Sequence, residues 1–299
     1  MSKGLPRVAT FVAGRGTALA EPALRAVLRD AGLGASQPEW LAADHAADVV
    51  FETDDPAGMR ARLASALAGQ AMDVVAQPLA ERRKRLLVAD MDSTMIEQEC
   101  IDELAEFAGI RAEISAVTAR AMAGELDFEA ALKARVARLA GVRVDQIRAI
   151  LDRLTLTPGA RALVATMRAH GAHAALVSGG FTQFTEHVAE RIGFHESFAN
   201  QLEIVDGALT GRVVEPVQGR AAKRATLESL RARLGLPGAA TLAIGDGAND
   251  LDMLDAAGLG VAFHAKPKVA AAARARVDHA DLTALLYAQG YRRDEIVAG

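Results

Sequence analysis

The chain has 299 residues, enough for two ordinary domains, and its apolar fraction of 51% can fill more than one core. Its 34 basic and 38 acidic residues leave a net charge of −4, so no overall positive field indicates nucleic acid or anionic lipid as a partner. The single cysteine, Cys100, excludes a disulfide framework and a cysteine-rich zinc site, and its surroundings favour a small helix residue over a catalytic thiol.

The start of the chain, MSKGLPRVATFVAG, lacks the apolar segment of a signal peptide. No apolar run approaches the length needed to cross a bilayer. We therefore expect a cytoplasmic protein that has no membrane partner.

The first 80 residues show the pattern of a small α+β unit. The predicted elements are strands over 7–14 and 73–79, helices over 21–32 and 56–70, and one or two strands within 38–52. Their order resembles the βαββαβ order of an ACT-like ferredoxin fold. Such a unit could bind an amino acid such as serine, mediate assembly into a homodimer, or only pack on the rest of the chain.

The charged run LAERRKR follows this unit and predicts a solvated linker. We place a domain boundary there, between an ACT-like domain at 1–80 and a second domain at 81–299.

Three apolar runs in the second domain each end in a polar cluster. RLLVAD ends at Asp90, AHAALVSGG at Ser178, and ATLAIGDGAND at Asp246. Helical periodicity follows each run, which predicts a Rossmann-like α/β fold with a parallel sheet. Because ligands of such sheets bind beyond the carboxyl ends of the strands, we expect the three clusters to meet in one site.

A helical segment at about 97–155 interrupts this alternation directly after the first strand. Its position predicts a cap over the site. The sequence LEIVDGALTGRV further along the chain predicts a β-hairpin, since Asp206-Gly207 forms a favoured two-residue turn.

The first cluster contains two aspartates that face the same side. Asp90 and Asp92 are two residues apart, and in extended backbone such residues share a face. With Asp246 they form a site of oxygen ligands, which favours Mg²⁺ and a phosphate ester as the substrate. Asp90 would be the nucleophile that attacks phosphorus, and Asp92 would protonate the leaving oxygen and then deprotonate the hydrolytic water.

Three donors would bind the phosphoryl oxygens as negative charge spreads over them. They are the Ser178 hydroxyl, the backbone N–H of Gly179 and the ammonium group of Lys223. Lys223 by itself would be read as a surface lysine, so its role depends on the other clusters.

The order DMDST, VSGGF, Lys223 and GDGAND resembles the four motifs of the haloacid dehalogenase superfamily. The likeness runs from about residue 86 to 288 and is closer to the phosphoserine phosphatases of that superfamily. It implies the haloacid dehalogenase fold and Mg²⁺ held by the Asp90 side chain, the Asp92 backbone carbonyl and Asp246. It also implies further site residues: Thr94 orienting the nucleophile loop, Gly180 and Asn249 contacting substrate, and Asn249 and Asp250 supporting the metal shell and Lys223.

Two residues of the cap have the spacing of a substrate-binding face. Phe128 and Arg135 are seven residues apart, so they lie close to one face of a helix, where Phe128 could exclude water and Arg135 reach an anion. Taken singly, Phe128 equally suits a core and Arg135 a solvated surface. The resemblance adds Glu99 and Met122, and Glu99 with Arg135 would bind the ammonium and carboxylate groups of an α-amino acid.

The resemblance thus implies hydrolysis of O-phospho-L-serine to L-serine and phosphate, the last step of L-serine biosynthesis. One alternative is a phosphotransferase that passes the phosphoryl group to another alcohol, such as homoserine. Another is a regulator that binds an amino acid without turnover.

Overall fold

The structure is a computed structural model that describes residues 5–122 and 125–299, without the side chains of Met122 and Phe128. The elements up to the first predicted boundary are β1 (Leu5–Ala13), α1 (Glu21–Asp30), β2 (Glu39–Ala42), β3 (Ala46–Thr53), α2 (Pro56–Ala66) and β4 (Met72–Pro78). The elements from there to the hairpin are β5 (Leu86–Ala89), α3 (Cys100–Phe107), α4 (Arg111–Met122), α5 (Phe128–Ala137), α6 (Val144–Leu151), α7 (Ala160–Ala169), β6 (His173–Phe181), α8 (Thr182–Ile192) and β7 (Glu196–Asn200). The remaining elements are β8 (Leu202–Val205), β9 (Ala208–Val213), α9 (Arg220–Arg233), β10 (Thr241–Gly245), α10 (Leu251–Ala256), β11 (Leu259–Phe263), α11 (Pro267–Ala272), β12 (Ala275–Val277) and α12 (Ala284–Ala288).

The described residues pack into two units. The first comprises the chain up to Arg85 together with Pro158–Ala172 and Ala275–Gly299. The second comprises Leu86–Thr157 and His173–Arg274. The boundary between 1–80 and 81–299 stays a prediction. None of the helices in the described ranges has the length and apolar content needed to cross a bilayer.

The first unit contains an antiparallel sheet in the order β2-β3-β1-β4. Helix α1 buries Leu24, Val27 and Leu28 in a core with residues of β1 and β3, such as Phe11 and Val49. The carboxylate of Asp55 caps α2 by accepting a hydrogen bond from the backbone N–H of Gly58 at 2.8 Å. These features confirm a small α+β unit, and its likeness to an ACT domain stays a prediction.

Most residues of the charged run after β4 are exposed, as expected of a solvated linker, but two of its basic side chains are not. Arg82 forms an ion pair with the buried carboxylate of Asp48 at 2.7 Å. The side chain of Lys84 is buried and donates to the carbonyl oxygen of Glu81 at 2.7 Å. Burial lowers the pKa of Lys84 to about 8. Long basic side chains can cover apolar surface with their stems, and a charge run does not show whether they do.

The second unit contains a parallel sheet in which β11, β10, β5, β6 and β7 are neighbours in that order. Strand β5 is fully buried between β10 and β6, which explains its continuous apolar run. The chain passes from β5 to β6 on one side and later returns to β10 on the other. The switch point of the sheet therefore lies at the ends of β5 and β10, next to Asp90 and Asp246.

The insert after β5 contains the four helices α3 to α6, as predicted. The predicted hairpin is confirmed as β8 and β9, which are joined by Asp206 and Gly207. Both turn residues have positive φ, 51° and 75°, as a type I′ turn requires.

Candidate active site

One pocket in the second unit lies at the carboxyl ends of β5, β6 and β10, beside the helical insert. Its walls combine carboxylates, a guanidinium group and apolar side chains. The lining residues are Asp90, Asp92, Glu99, Ile101, Leu132, Arg135, Ser178, Gly179, Gly180, Phe181, Asp246 and Asn249. The three strand-end clusters that are far apart in sequence are therefore brought together, as predicted.

A buried lysine joins two of the aspartates. The ammonium group of Lys223, on α9, lies 2.6 Å from a carboxylate oxygen of Asp90 and 2.6 Å from one of Asp250. Burial lowers the pKa of Lys223, but the two carboxylates outweigh burial and raise it above its ordinary value. Lys223 is therefore charged at neutral pH, and its charge holds Asp90 in place.

The surroundings of Asp90 destabilise the ionised form of its carboxyl group. Burial and the negative charge of Asp250 raise its pKa well above the ordinary value, against the opposing effect of Lys223. Burial also raises the pKa of Asp246. The ammonium group of Lys266 opposes this shift, and the negative charge of Asp250 adds to it. Lys223 and Lys266 thus do not offset the burial of these carboxylates, and a bound cation would favour their ionised forms.

The donor set fits a hard divalent cation. One carboxylate oxygen each from Asp90, Asp246 and Asp250 lie within 4.8 Å of one another, and all three residues are buried. The side-chain oxygen of the neighbouring Asn249 is buried and has no hydrogen-bond partner among the described residues. Oxygen ligands without thiolate or imidazole favour Mg²⁺ over softer metals.

Asp92 lies where a carboxyl group can exchange protons. One of its oxygens accepts from the backbone N–H of Cys100 at 2.8 Å, and the other accepts from the hydroxyl of Ser178 at 3.1 Å. Burial raises the pKa of Asp92 in spite of these hydrogen bonds, which favours the protonated form. Burial also raises the pKa of the Cys100 thiol well above its ordinary value, which agrees with a structural cysteine.

Gly180 lies close to these groups. The backbone N–H of Gly180 donates to the Ser178 hydroxyl at 2.8 Å. A Cβ atom at Gly180 would lie 3.0 Å from that hydroxyl oxygen and 3.1 Å from a carboxylate oxygen of Asp92. A larger residue would therefore press on the contact between Ser178 and Asp92.

Glu99 lies at the start of α3 and faces other acidic groups. Burial, Asp92 and Asp246 raise its pKa to about 8, although the hydroxyl of Ser93 donates to its carboxylate at 2.7 Å. Ser93 has a positive φ of 53°, which is unusual for a residue with a side chain. A loop conformation of this kind explains why Glu99 can lie beside Asp92 despite a separation of seven residues.

Arg135 is a buried cation whose hydrogen-bond partners among the described residues are neutral. Its side chain is buried, and among the described residues it forms no ion pair. Its Nε donates to the carbonyl oxygen of Ala131 at 3.0 Å, and Nη1 donates to the hydroxyl of Thr118 at 2.8 Å. Burial lowers its pKa. A buried charge that has only neutral partners is suited to an anionic ligand.

Of the other predicted site residues, Thr94 is buried, and its hydroxyl lies at a long 3.5 Å from a carboxylate oxygen of Asp246. The side chains of Met122 and Phe128 lie outside the described part of the structure.

The sequence analysis missed two polar residues at this site. The ammonium group of Lys266 lies 2.5 Å from a carboxylate oxygen of Asp246. The side-chain amide of Asn200 donates to the carbonyl oxygens of Gly179 at 2.9 Å and Gln218 at 3.1 Å, so it joins the end of β6 to the segment before α9. Asn200 ends β7 and Lys266 follows β11, and neither of these strands was predicted from the sequence.

The sequence model of the haloacid dehalogenase-like hydrolase family matches residues 87–255. The match covers more than half of the chain and includes Asp90, Ser178, Lys223 and Asp246. The chain therefore belongs to the haloacid dehalogenase-like hydrolase family.

The chain is also similar to individual proteins and solved structures. The chain is 48% identical over 242 residues to the phosphoserine phosphatase of Streptomyces coelicolor, covering 80% of this chain and 59% of that protein. The structure of a haloacid dehalogenase family hydrolase from Salmonella enterica serovar Typhi has a TM-score of 0.83 and 29% identity, and the match covers 94% of this chain and 97% of that one. The structure of a phospho-aspartyl intermediate analogue of phosphoserine phosphatase has a TM-score of 0.66 and 37% identity, covering 69% and 98%.

The chain spans about three-fifths of the length of the Streptomyces protein, and 54% and 62% of two further curated phosphoserine phosphatases.

Proposed function

We propose that the chain is a Mg²⁺-dependent phosphatase that hydrolyses O-phospho-L-serine to L-serine and phosphate. The observation that carries this proposal is the single pocket that is lined both by Asp90, whose carboxylate contacts Lys223, and by Arg135, whose described hydrogen-bond partners are neutral. The first group suits a phosphoryl group, and the second suits a carboxylate. Relatives named phosphoserine phosphatase support the same substrate.

In the first half-reaction, a carboxylate oxygen of Asp90 attacks phosphorus and forms an aspartyl phosphate. The serine oxygen leaves as the P–O bond breaks, and Asp92 supplies its proton. The raised pKa of Asp92 favours the protonated form that this step needs. Lys223, Ser178 and the backbone N–H of Gly179 stabilise negative charge on the phosphoryl oxygens.

In the second half-reaction, Asp92 is a carboxylate and removes a proton from the attacking water. Water attacks phosphorus, the bond to Asp90 breaks, and phosphate leaves. Asp92 regains its proton, so one residue serves both steps. The hydrogen bond from Cys100 keeps its carboxyl group in place throughout.

The metal would be held by Asp90, Asp246 and the backbone carbonyl of Asp92, with Asn249 and Asp250 supporting the site. When bound, Mg²⁺ supplies positive charge that reduces repulsion between the nucleophile and the phosphoryl group. The close approach of carboxylates in this chain and the unpartnered oxygen of Asn249 support the assignment.

Arg135 and Glu99 would recognise the two charges of the amino-acid part. Arg135 would bind the carboxylate, and Glu99 in its ionised form would bind the ammonium group. Ile101 and Leu132 line the pocket beside them and leave room for a short apolar segment of the substrate. Met122 and Phe128 complete the proposed substrate-binding set from the cap.

The proposal is tested by measuring release of phosphate and serine from a panel of phospho-amino acids and sugar phosphates. We expect O-phospho-L-serine to have the highest kcat/KM, with equal amounts of serine and phosphate formed. Addition of homoserine would convert phosphate release into formation of phosphohomoserine if the chain were a phosphotransferase. Absence of turnover on every substrate would favour an amino-acid-binding regulator.

We also propose the two predicted domains, 1–80 and 81–299, with the catalytic groups in the second. The roles of the first domain in binding serine or forming a homodimer, and the cytoplasmic location, stay predictions.

A further inference from the structure

A chain of hydrogen bonds crosses three helices of the insert. The carboxylate of Asp102, on α3, accepts from the hydroxyls of Ser115 at 2.6 Å and Thr118 at 3.2 Å, which both lie on α4. The hydroxyl of Thr118 accepts in turn from Nη1 of Arg135, on α5, at 2.8 Å. The connection from Asp102 through Thr118 to Arg135 therefore links all three helices.

The direction of these hydrogen bonds is set by Asp102. A hydroxyl has one proton and two lone pairs, and Thr118 gives its proton to a carboxylate. Its lone pairs are then available to the guanidinium group, which can only donate. Thr118 and Arg135 are each 3% exposed, so water cannot readily replace either partner. The contact is therefore a buried hydrogen bond to a charged group.

The orientation of the guanidinium group follows from two contacts. Nε is held by the carbonyl oxygen of Ala131 and Nη1 by Thr118, which together fix the plane of the group. Its remaining nitrogen, Nη2, has no hydrogen-bond partner in the part of the chain that the structure describes, and Arg135 lines the pocket. Thr118 therefore helps to fix the position of Nη2, the nitrogen of Arg135 that is available to a ligand.

The same network is connected to the other charge-recognition residue. Glu99 precedes the first residue of α3, and Asp102 lies in the first turn of that helix. Helix α3 therefore carries Glu99 and, through Asp102 and Thr118, constrains Arg135. The spacing between Glu99, the proposed ammonium site, and Arg135, the proposed carboxylate site, therefore depends on α3 and its hydrogen bonds.

We propose that Thr118 and Asp102 are positioning residues that make the enzyme selective for phosphate esters bearing a carboxylate. They act through Arg135 and do not touch the substrate. This inference rests on the proposed function, because it assumes that Arg135 binds the substrate carboxylate.

Ser115 provides a matched control. It lies on the same helix as Thr118 and donates to the same carboxylate, but within the described residues no hydrogen bond joins it to Arg135. If the network only fastened α4 to α3, removing either hydroxyl would have the same consequence. If it positions Arg135, only the loss of Thr118 changes substrate selectivity.

The experiment uses the full chain with Mg²⁺ and measures kcat and KM for O-phospho-L-serine and for p-nitrophenyl phosphate, which has no carboxylate. Selectivity is the ratio of the two kcat/KM values. We expect Thr118→Val to lower selectivity about tenfold, mainly through KM, because a hydrogen bond to a charged group is lost. The inhibition constant of L-serine should rise by a similar factor, whereas that of inorganic phosphate should not change. Thr118→Ser should restore selectivity, and Ser115→Ala should retain it.

A double-mutant cycle tests whether Thr118 acts through Arg135. In an Arg135→Ala background, Thr118→Val should have no further effect on selectivity. Equal losses for the two substrates in Thr118→Val, or the same loss of selectivity in Ser115→Ala, would overturn the inference. If Thr118→Val does not fold, the selectivity of Asp102→Asn is measured instead. A lowered selectivity in that variant supports the inference, and an unchanged selectivity overturns it.

Failure of the proposed function gives a different result. A wild-type enzyme without turnover of phosphoserine removes the proposed function and this inference together. A wild-type enzyme that is active on phosphoserine, with unchanged selectivity in Thr118→Val, removes only the inference.

Discussion

The pocket has a phosphoryl end at Asp90 and a recognition end at Arg135 and Glu99. Charges are balanced in different ways at the two ends. At the phosphoryl end, Lys223 contacts the carboxylates of both Asp90 and Asp250 at 2.6 Å. At the recognition end, Arg135 is equally buried, but its hydrogen-bond partners in the described part of the chain are a hydroxyl and a carbonyl oxygen. The first arrangement is held together by charges within the chain, while in the proposed function the carboxylate of the substrate completes the second. Chemistry and selectivity should therefore be separable by mutation.

The largest effect is expected at the phosphoryl end, with Asp90→Asn. An amide is a poor nucleophile of nearly the same shape, so kcat should fall at least about 10⁴-fold while the fold is retained. Steady-state phosphate release and circular dichroism check the two parts of this prediction. Substantial turnover, with deamidation back to aspartate excluded by mass spectrometry, would show that another residue is the nucleophile.

Removal of the metal tests the same end of the pocket. Chelation should lower kcat at least about 1,000-fold, since a metal contributes several kcal/mol of charge stabilisation in such reactions. Titration with Mg²⁺ should restore activity, and calorimetry should show Mg²⁺ binding that Asp246→Asn weakens. Excess Ca²⁺ should inhibit, because calcium accepts a bidentate carboxylate and would occupy both oxygens of Asp90. Full activity after exhaustive chelation would contradict the metal assignment.

The recognition end is tested by Arg135→Ala. Losing one partner of a buried charge pair typically costs about 2–5 kcal/mol, so kcat/KM for phosphoserine should fall roughly 30-fold or more. An aryl phosphate lacks the carboxylate, and its kcat/KM should change far less. The comparison between the two ends fails if both substrates lose the same factor or neither is affected.

The smallest effect is a gain in stability from Glu99→Gln in the metal-free protein. Glu99 has a pKa of about 8 in the folded state against 4.5 as its ordinary value, so the folded state binds its proton more tightly than the unfolded state. Its contribution to stability is therefore most favourable below pH 4.5 and falls as pH rises to about 8. Glutamine does not titrate, so the variant should melt at least about 2 °C higher at pH 8 and at the same temperature near pH 4.

Thermal melting at the two pH values checks this prediction, and Glu97→Gln, at an exposed position two residues earlier, is the control. The same Glu99→Gln variant should lose kcat/KM for phosphoserine, since it no longer carries a charge for the ammonium group. A variant that is no more stable at pH 8 than the wild type would show that the pKa of Glu99 is not raised in the folded protein.

The sequence alone determined much of the phosphoryl end. Asp90, Ser178 and Asp246 each follow an apolar run, which is a local pattern, and the geometry of parallel sheets brings the ends of such runs together. The α+β character of the first unit and the turn at Asp206 also follow from short-range preferences. Lys223 has no local signal of this kind, and only its order among the motifs indicated its place.

Only the tertiary structure decided which polar side chains are buried and what they contact. Lys84 and Thr118 have sequence surroundings that suit a solvated surface, yet both are buried. Asp102 and Arg135 are 33 residues apart, and they are connected only because α3, α4 and α5 pack on one another. Whether a polar residue on a helix faces water or a neighbouring helix depends on that packing, and hydrophobic periodicity describes the apolar face alone.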